Sequence, residues 1–96
     1  MQVTGPSMLP TLKPGDVVVA STRKTPREGH VVIARSPQTG EWIIKRLTKI
    51  ESDGYWLEGD AHEPGTAKTS TDSWVFGAVQ RDAIAAVAVW PLKVSR

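Results

Sequence analysis

Cysteine is absent from this 96-residue chain, which removes disulfides and thiol chemistry and leaves the redox compartment open. Long apolar runs are missing as well. The longest, Ala83 to Leu92, is well short of the roughly 20 residues that a membrane helix requires, and no charged-then-apolar leader is visible. The expectation is therefore a protein that works in the cytoplasm or peripherally at a membrane, with any anchor outside this chain. Neither sign of charge dominates, with 12 Lys and Arg against 10 Asp and Glu. Arg23, Lys24 and Arg27 form the one basic group and read as a solvated loop. Nucleic-acid recognition calls for a denser basic stripe interleaved with aromatics, so no nucleic-acid partner is expected. No repeat, heptad or low-complexity tract appears. A hydrophobic fraction of 40% suffices for one folded domain over residues 1–96.

Short strand candidates separated by turns fill most of the chain. Val17 to Ala20 follows the Pro14-Gly15-Asp16 turn, and His30 to Ala34 follows Pro26 and Gly29. Trp42 to Ile50 alternates, and Asp53-Gly54 is a tight-turn signal that joins it to Tyr55 to Glu58 as a hairpin. Gly59 to Ser73 is polar and reads as a long loop, a class of segment that is often functional. Trp74 to Val79 and Ala83 to Trp90 read as closing strands, although Ala83-Ile84-Ala85-Ala86 also suits a helix start. The pattern predicts an all-β fold, a small coiled barrel or sandwich-like sheet.

Chemistry enters at Gly5-Pro6-Ser7-Met8-Leu9-Pro10-Thr11-Leu12, where Gly5 and two prolines stiffen a turn around one serine. A serine hydroxyl needs a base within hydrogen-bond reach before it becomes a useful nucleophile. The two histidines do not supply one, because His30 begins an apolar run, His62 sits in a polar stretch, and neither falls in a triad motif. Lys45 is the better candidate. Strand periodicity in Glu41 to Leu47 puts Ile43, Lys45 and Leu47 on one face and Trp42, Ile44 and Arg46 on the other. Burial between two aliphatic neighbours would disfavour the ammonium and bring its pKa towards the ~7 to 8 useful to a general base. Periodicity alone leaves a second reading open and favours it: an edge lysine that snorkels to water. The tryptophans Trp42, Trp56, Trp74 and Trp90 are read as core-packing residues of strands. Trp42 is the exception to watch, since it projects away from the interior if Lys45 faces it.

Five strings in one order carry a resemblance. They are Gly5 to Thr11 followed by Pro14-Gly15-Asp16; Ile44-Lys45-Arg46; Glu58-Gly59-Asp60; Ser70-Thr71-Asp72-Ser73; and Phe76-Gly77-Ala78-Val79. Together they resemble the signal peptidase I family of serine/lysine endopeptidases. The resemblance implies a coiled β fold of the signal-peptidase catalytic-core type, with Ser7 as nucleophile, Lys45 as general base and Ser70 as the hydroxyl that orients the lysine amine. It further implies structural support from Met8, Pro10, Gly59, Asp60 and Asp72, with Gly59 and Asp60 shaping a turn and Asp72 standing behind the site. Two positions depart from the family pattern: Ala61 replaces the usual Asn and Trp74 the usual Arg. Without that arginine, Asp72 is expected to find another donor, such as a backbone N–H, or to stay exposed. Gly5 stands where many members place a serine hydroxyl, so the oxyanion hole is expected to rest on backbone N–H groups, that of Ser7 first.

The implied activity is hydrolysis of a peptide bond in a precursor protein or peptide, bound in extended form along a strand edge, with no metal or cofactor required. Asp60, His62 and Glu63 do not fix a metal geometry and read as a solvated loop. Three alternatives share the motif. One is a specialised cytoplasmic maturation peptidase of the nickel superoxide dismutase type. Another is an SOS-repressor-like autoprotease, which needs an additional DNA-binding domain and an internal cleavage site. The last is a catalytically silent β-module that binds peptides.

Overall fold

Three valines in a row after a Pro-Gly turn make a strand, and Val17–Ser21 forms β1 of the computed structural model. The structure describes residue 8, residues 11–60 and residues 72–92, the last three without their side chains. Four further strands follow: β2 Val31–Arg35, β3 Trp42–Glu51, β4 Gly54–Glu58 and β5 Ile84–Leu92. They make one sheet in the order β1-β5-β2-β3-β4, with every neighbouring pair antiparallel. The expected all-β architecture and the β3–β4 hairpin are both present.

The tight turn at Asp53-Gly54 has a second cause besides chain reversal. Gly54 adopts φ +140, and a Cβ there would lie 2.6 Å from the carbonyl oxygen of Val79. That closeness lets Tyr55 and Val79 exchange backbone hydrogen bonds at 2.8 Å in both directions. A glycine is therefore required both by the backbone angle and by the crossing segment.

The segment Trp74 to Val79, read from sequence as a strand, is not one. Ser73–Phe76 forms a single helical turn, α1, and only Val79 makes a bridge to the sheet. The cause is local: Asp72 caps the turn by accepting a hydrogen bond from the Trp74 backbone N–H at 3.0 Å, and Gly77 ends it at φ 81. The helix start suggested at Ala83 is only a 3-10 turn over Arg81–Ala83, after which β5 begins.

Register shifts at Val19/Ala20, Ile33/Ala34 and Leu47/Lys49 raise the local twist and coil the sheet. Coiling buries both faces in part. On one face Val32, Ala34, Leu47, Leu57, Val79, Ile84 and Val87 form the main core. On the other, Met8, Leu12, Val18 and Ile44 form a second cluster, which packs the start of the chain against the sheet. The three tryptophans whose side chains are described do not belong to the buried core. Trp42 is 48% exposed and Trp74 74% exposed, Trp56 is half-buried, and the Trp90 side chain lies outside the described residues. Trp42 instead carries the Arg35 guanidinium 4.0 Å above its ring, and Trp74 stands edge-on to Trp56 at 5.2 Å.

Candidate active site

Lys45 sits in β3 directly opposite Val32 of β2, between Ile43 and Leu47 on the face that carries the main core. Its side chain is 3% exposed, so the snorkelling alternative is overturned. Burial pushes the Lys45 ammonium below its ordinary pKa, and the negative charge of Asp72 partly opposes that shift. Desolvation is the larger influence. The strand pattern therefore delivers an amine whose proton is held more loosely than that of a surface lysine.

Asp72 is 7% exposed and takes the backbone donor that the loss of an arginine at position 74 called for. Beside it, Ser73 is 1% exposed and its Oγ accepts from the Leu57 N–H at 2.8 Å. That bond satisfies a donor of β4 that no strand covers among the described residues, and it fixes α1 to the sheet. The sequence reading gave Ser73 no role; its place between two motif residues was the available signal.

On the opposite face of β3, Arg46 makes a forked pair with Asp60, Nε to Oδ1 at 3.2 Å and Nη2 to Oδ2 at 2.6 Å. The Asp60 carboxylate also accepts from Thr11 Oγ1 at 2.5 Å, and Arg46 Nη1 donates to the Gly29 carbonyl at 2.7 Å. The hydrogen bond to Asp60 raises the Arg46 pKa, against the pull of burial and with the carboxylate charge in support. Bidentate geometry makes such pairs both stronger and more directional than a point-charge contact. Four segments meet here: the loop after β4, the strand that bears Lys45, the loop before β2, and the stretch at Thr11. Asp60 thus has a structural task, and Thr11 and Arg46, to which the motifs alone assign none, share it.

Met8 is 1% exposed, and its carbonyl accepts from the Leu12 N–H at 2.9 Å. The residue after Ser7 is therefore fixed in the second apolar cluster. Ser7, Pro10 and Ser70 lie outside the described residues, as do His62 and Glu63. Gly59 follows the last residue of β4.

The position of Lys45 along its strand matters as much as its burial. Pairing with β4 stops at Arg46↔Glu58, so among the described residues no strand covers the outer edge of β3 from Trp42 to Lys45. The Leu47 N–H donates to the His30 carbonyl on the β2 side. By antiparallel alternation, Lys45 and Ile43 direct their peptide groups to β2, while Ile44 and Trp42 direct theirs to the uncovered edge. The buried amine and the open strand edge thus belong to one stretch of β3, and the clamp of Thr11, Arg46 and Asp60 holds the opposite face of that strand. No helix of the described residues is long and apolar enough to cross a membrane.

Among known families, the model described as Peptidase S24-like matches residues 1–77. That span includes Ser7, Lys45, Asp60, Ser70 and Asp72. No curated protein and no solved structure matches the chain.

Proposed function

This chain belongs to the Peptidase S24-like family, and from that membership we propose that it is a serine endopeptidase with a Ser7/Lys45 dyad. Its substrate is a signal peptide or pro-peptide of a precursor protein, held as an extended strand. The observation that carries the reading is Lys45: a lysine 3% exposed in a core face, with burial loosening its proton. A purely structural lysine would gain nothing from that position, because burial of an ammonium costs stability.

In the proposed cycle the neutral Lys45 amine takes the proton from Ser7 Oγ as that oxygen attacks the scissile carbonyl carbon. Backbone N–H groups, that of Ser7 among them, hold the oxyanion. The carbon–nitrogen bond then breaks, Lys45 returns the proton to the leaving amine, and an acyl-Ser7 remains. Water, deprotonated by Lys45, releases the acyl group and restores the serine. Ser70 orients the lysine amine. The outer edge of β3 at Trp42 to Lys45 supplies the backbone partners for the substrate strand, which sets register without demanding side-chain identity.

A serine-directed acylating probe tests the nucleophile. It is expected to label Ser7 in the native protein and to lose labelling, together with peptide cleavage, by at least about a thousandfold in Ser7→Ala and in Lys45→Ala. Folded Lys45→Ala protein that still labels would remove the dyad. The same chemistry serves an autoprotease, and the Peptidase S24-like match favours keeping that second reading. Cleavage of the chain's own linker at a rate independent of protein concentration would select it over cleavage of a separate precursor.

A further inference from the structure

A cavity of about 440 Å³ opens at the end of the sheet where β2 stops and β3 begins. Its walls include Arg35 and Trp42 together with Phe76, Ala78, Val79 and Ala83. The size falls within the range of pockets that take small ligands or bulky side chains. The aromatic wall is stiff: Arg35 stacks over the Trp42 ring and donates to the Gly40 carbonyl, so neither side chain is free to fill the space. Trp42 remains 48% exposed even so. Nothing in the proposed cycle uses this cavity.

Its position relates it to the dyad. Trp42 is the first residue of β3 and precedes Lys45 by three, about 10 Å along an extended strand. The β3 edge that no strand covers among the described residues runs between the two. A peptide paired along that edge, with its scissile bond beside the Lys45 amine, advances at the same rise per residue and brings a side chain about three residues away level with the Trp42 ring. We infer that this cavity is a distal specificity subsite that accepts an aromatic side chain of the substrate, about three residues from the scissile bond. The inference rests on the peptidase reading above. An aromatic occupant fits because two of the lining side chains, Trp42 and Phe76, are aromatic, and aromatic pairs gain from ring contacts beyond the area they bury. Arg35 and Asp82, of opposite charge, both line the opening and leave no single-sign field to select a charged side chain.

The test is a set of internally quenched peptides that carry phenylalanine, leucine, glycine or glutamate at each of several positions around the cleavage point. Native protein is compared with Trp42→Ala, which removes the stacking wall, and with Gln80→Trp, which places bulk into the cavity from an exposed rim position. Native protein is expected to prefer phenylalanine over glycine at one position about three residues out, by about tenfold or more in kcat/KM. In both variants that ratio is expected to fall to about one. A ratio near one at every position in native protein, or a preference that survives in both variants, overturns the subsite while Ser7-dependent cleavage keeps the peptidase reading. Absence of Ser7-dependent cleavage of every peptide, with no acylation of Ser7, overturns both together.

Discussion

Lys45 and Arg46 are consecutive on β3, and the pleat sends them to opposite sides of the sheet. Lys45 enters the face built from Val32, Leu47 and Val87, where burial dominates and Asp72 acts as the opposing charge. Arg46 emerges beside Asp60, where a forked hydrogen bond dominates and its charge is held more firmly. An amine with a loosened proton and a firmly charged guanidinium thus arise one residue apart. The difference lies in how each finds its carboxylate. Direct hydrogen bonding favours the charged form, whereas desolvation disfavours it, and the larger of the two sets the direction. Guanidinium suits the first task because it remains charged and forks; an amine suits the second because it can lose its proton.

The sharpest way to break that comparison is to cut the clamp while the amine is left alone. Asp60→Asn keeps the size of the side chain and removes the carboxylate charge that Arg46 and Thr11 share. The clamp joins the segment that follows the Ser7 turn to the strand bearing Lys45, so its loss is expected to let the two drift apart. A misplacement of about 1 Å costs up to about a hundredfold in rate. The expected outcome is a fall in kcat of that order, with KM less affected and the pH midpoint of acylation unmoved, since Lys45 keeps its own surroundings. A midpoint that shifts with the clamp would mean that the two faces are not independent.

Next in size is the stability cost of the buried amine. An unfolded lysine keeps its proton up to about pH 10.4, whereas burial makes folded Lys45 release it at a lower pH. Between those two values the unfolded chain binds more protons, so stability rises with pH; below the folded value both states are protonated and the fold bears the full cost of the buried ammonium. Lys45→Met removes that cost. The variant is expected to be more stable than native protein by about 1 kcal/mol or more near pH 6, with the gap narrowing towards pH 10. Urea denaturation at several pH values reads it, and a gap that stays constant across the range would mean that Lys45 is charged in the fold throughout.

The contrast between the two residues also shows how much the sequence could yield. Alternation placed Lys45 and Arg46 on opposite faces, and the Asp53-Gly54 turn placed the hairpin, because both are local rules with periods of a few residues. Burial was not legible in the same way. Whether Lys45 meets water depends on packing between segments far apart in the chain: Phe76, Val79 and Ala83 join the core cluster of its face, and Asp72 acts on it by charge. The failed strand at Trp74 to Val79 has the same root. Apolar residues there suggest pairing, but the Asp72 cap and Gly77 close a helical turn first, and β4 is left with a side-chain acceptor from Ser73 in place of a full strand partner. The tryptophans misled for another reason: Trp42 and Trp74 are served by Arg35 and Trp56, partners that leave much of each ring in water. Resemblance pointed to Asp60 and Asp72 where periodicity was silent; in the structure Asp60 pairs with Arg46 and Thr11, and Asp72 caps α1.

The smallest expected effect is also the most diagnostic of how the two cations differ. Asp72 does two things at once: it caps α1 through the Trp74 N–H, and its charge opposes the loosening of the Lys45 proton. Asn is as good a helix cap as Asp, so Asp72→Asn preserves the first task and removes the second. With the raising charge gone and burial unchanged, the Lys45 pKa is expected to fall further, and the pH midpoint of acylation is expected to move to lower pH. Stability at high pH, where folded native and variant Lys45 are both neutral, is expected to change little. Acylation by the serine-directed probe, followed between about pH 5 and 10, measures the midpoint without any need to know the substrate. A midpoint that moves upward would reverse the order of the two influences on Lys45. It would make the lysine resemble Arg46, a cation fixed chiefly by its carboxylate and unsuited to take a proton from Ser7.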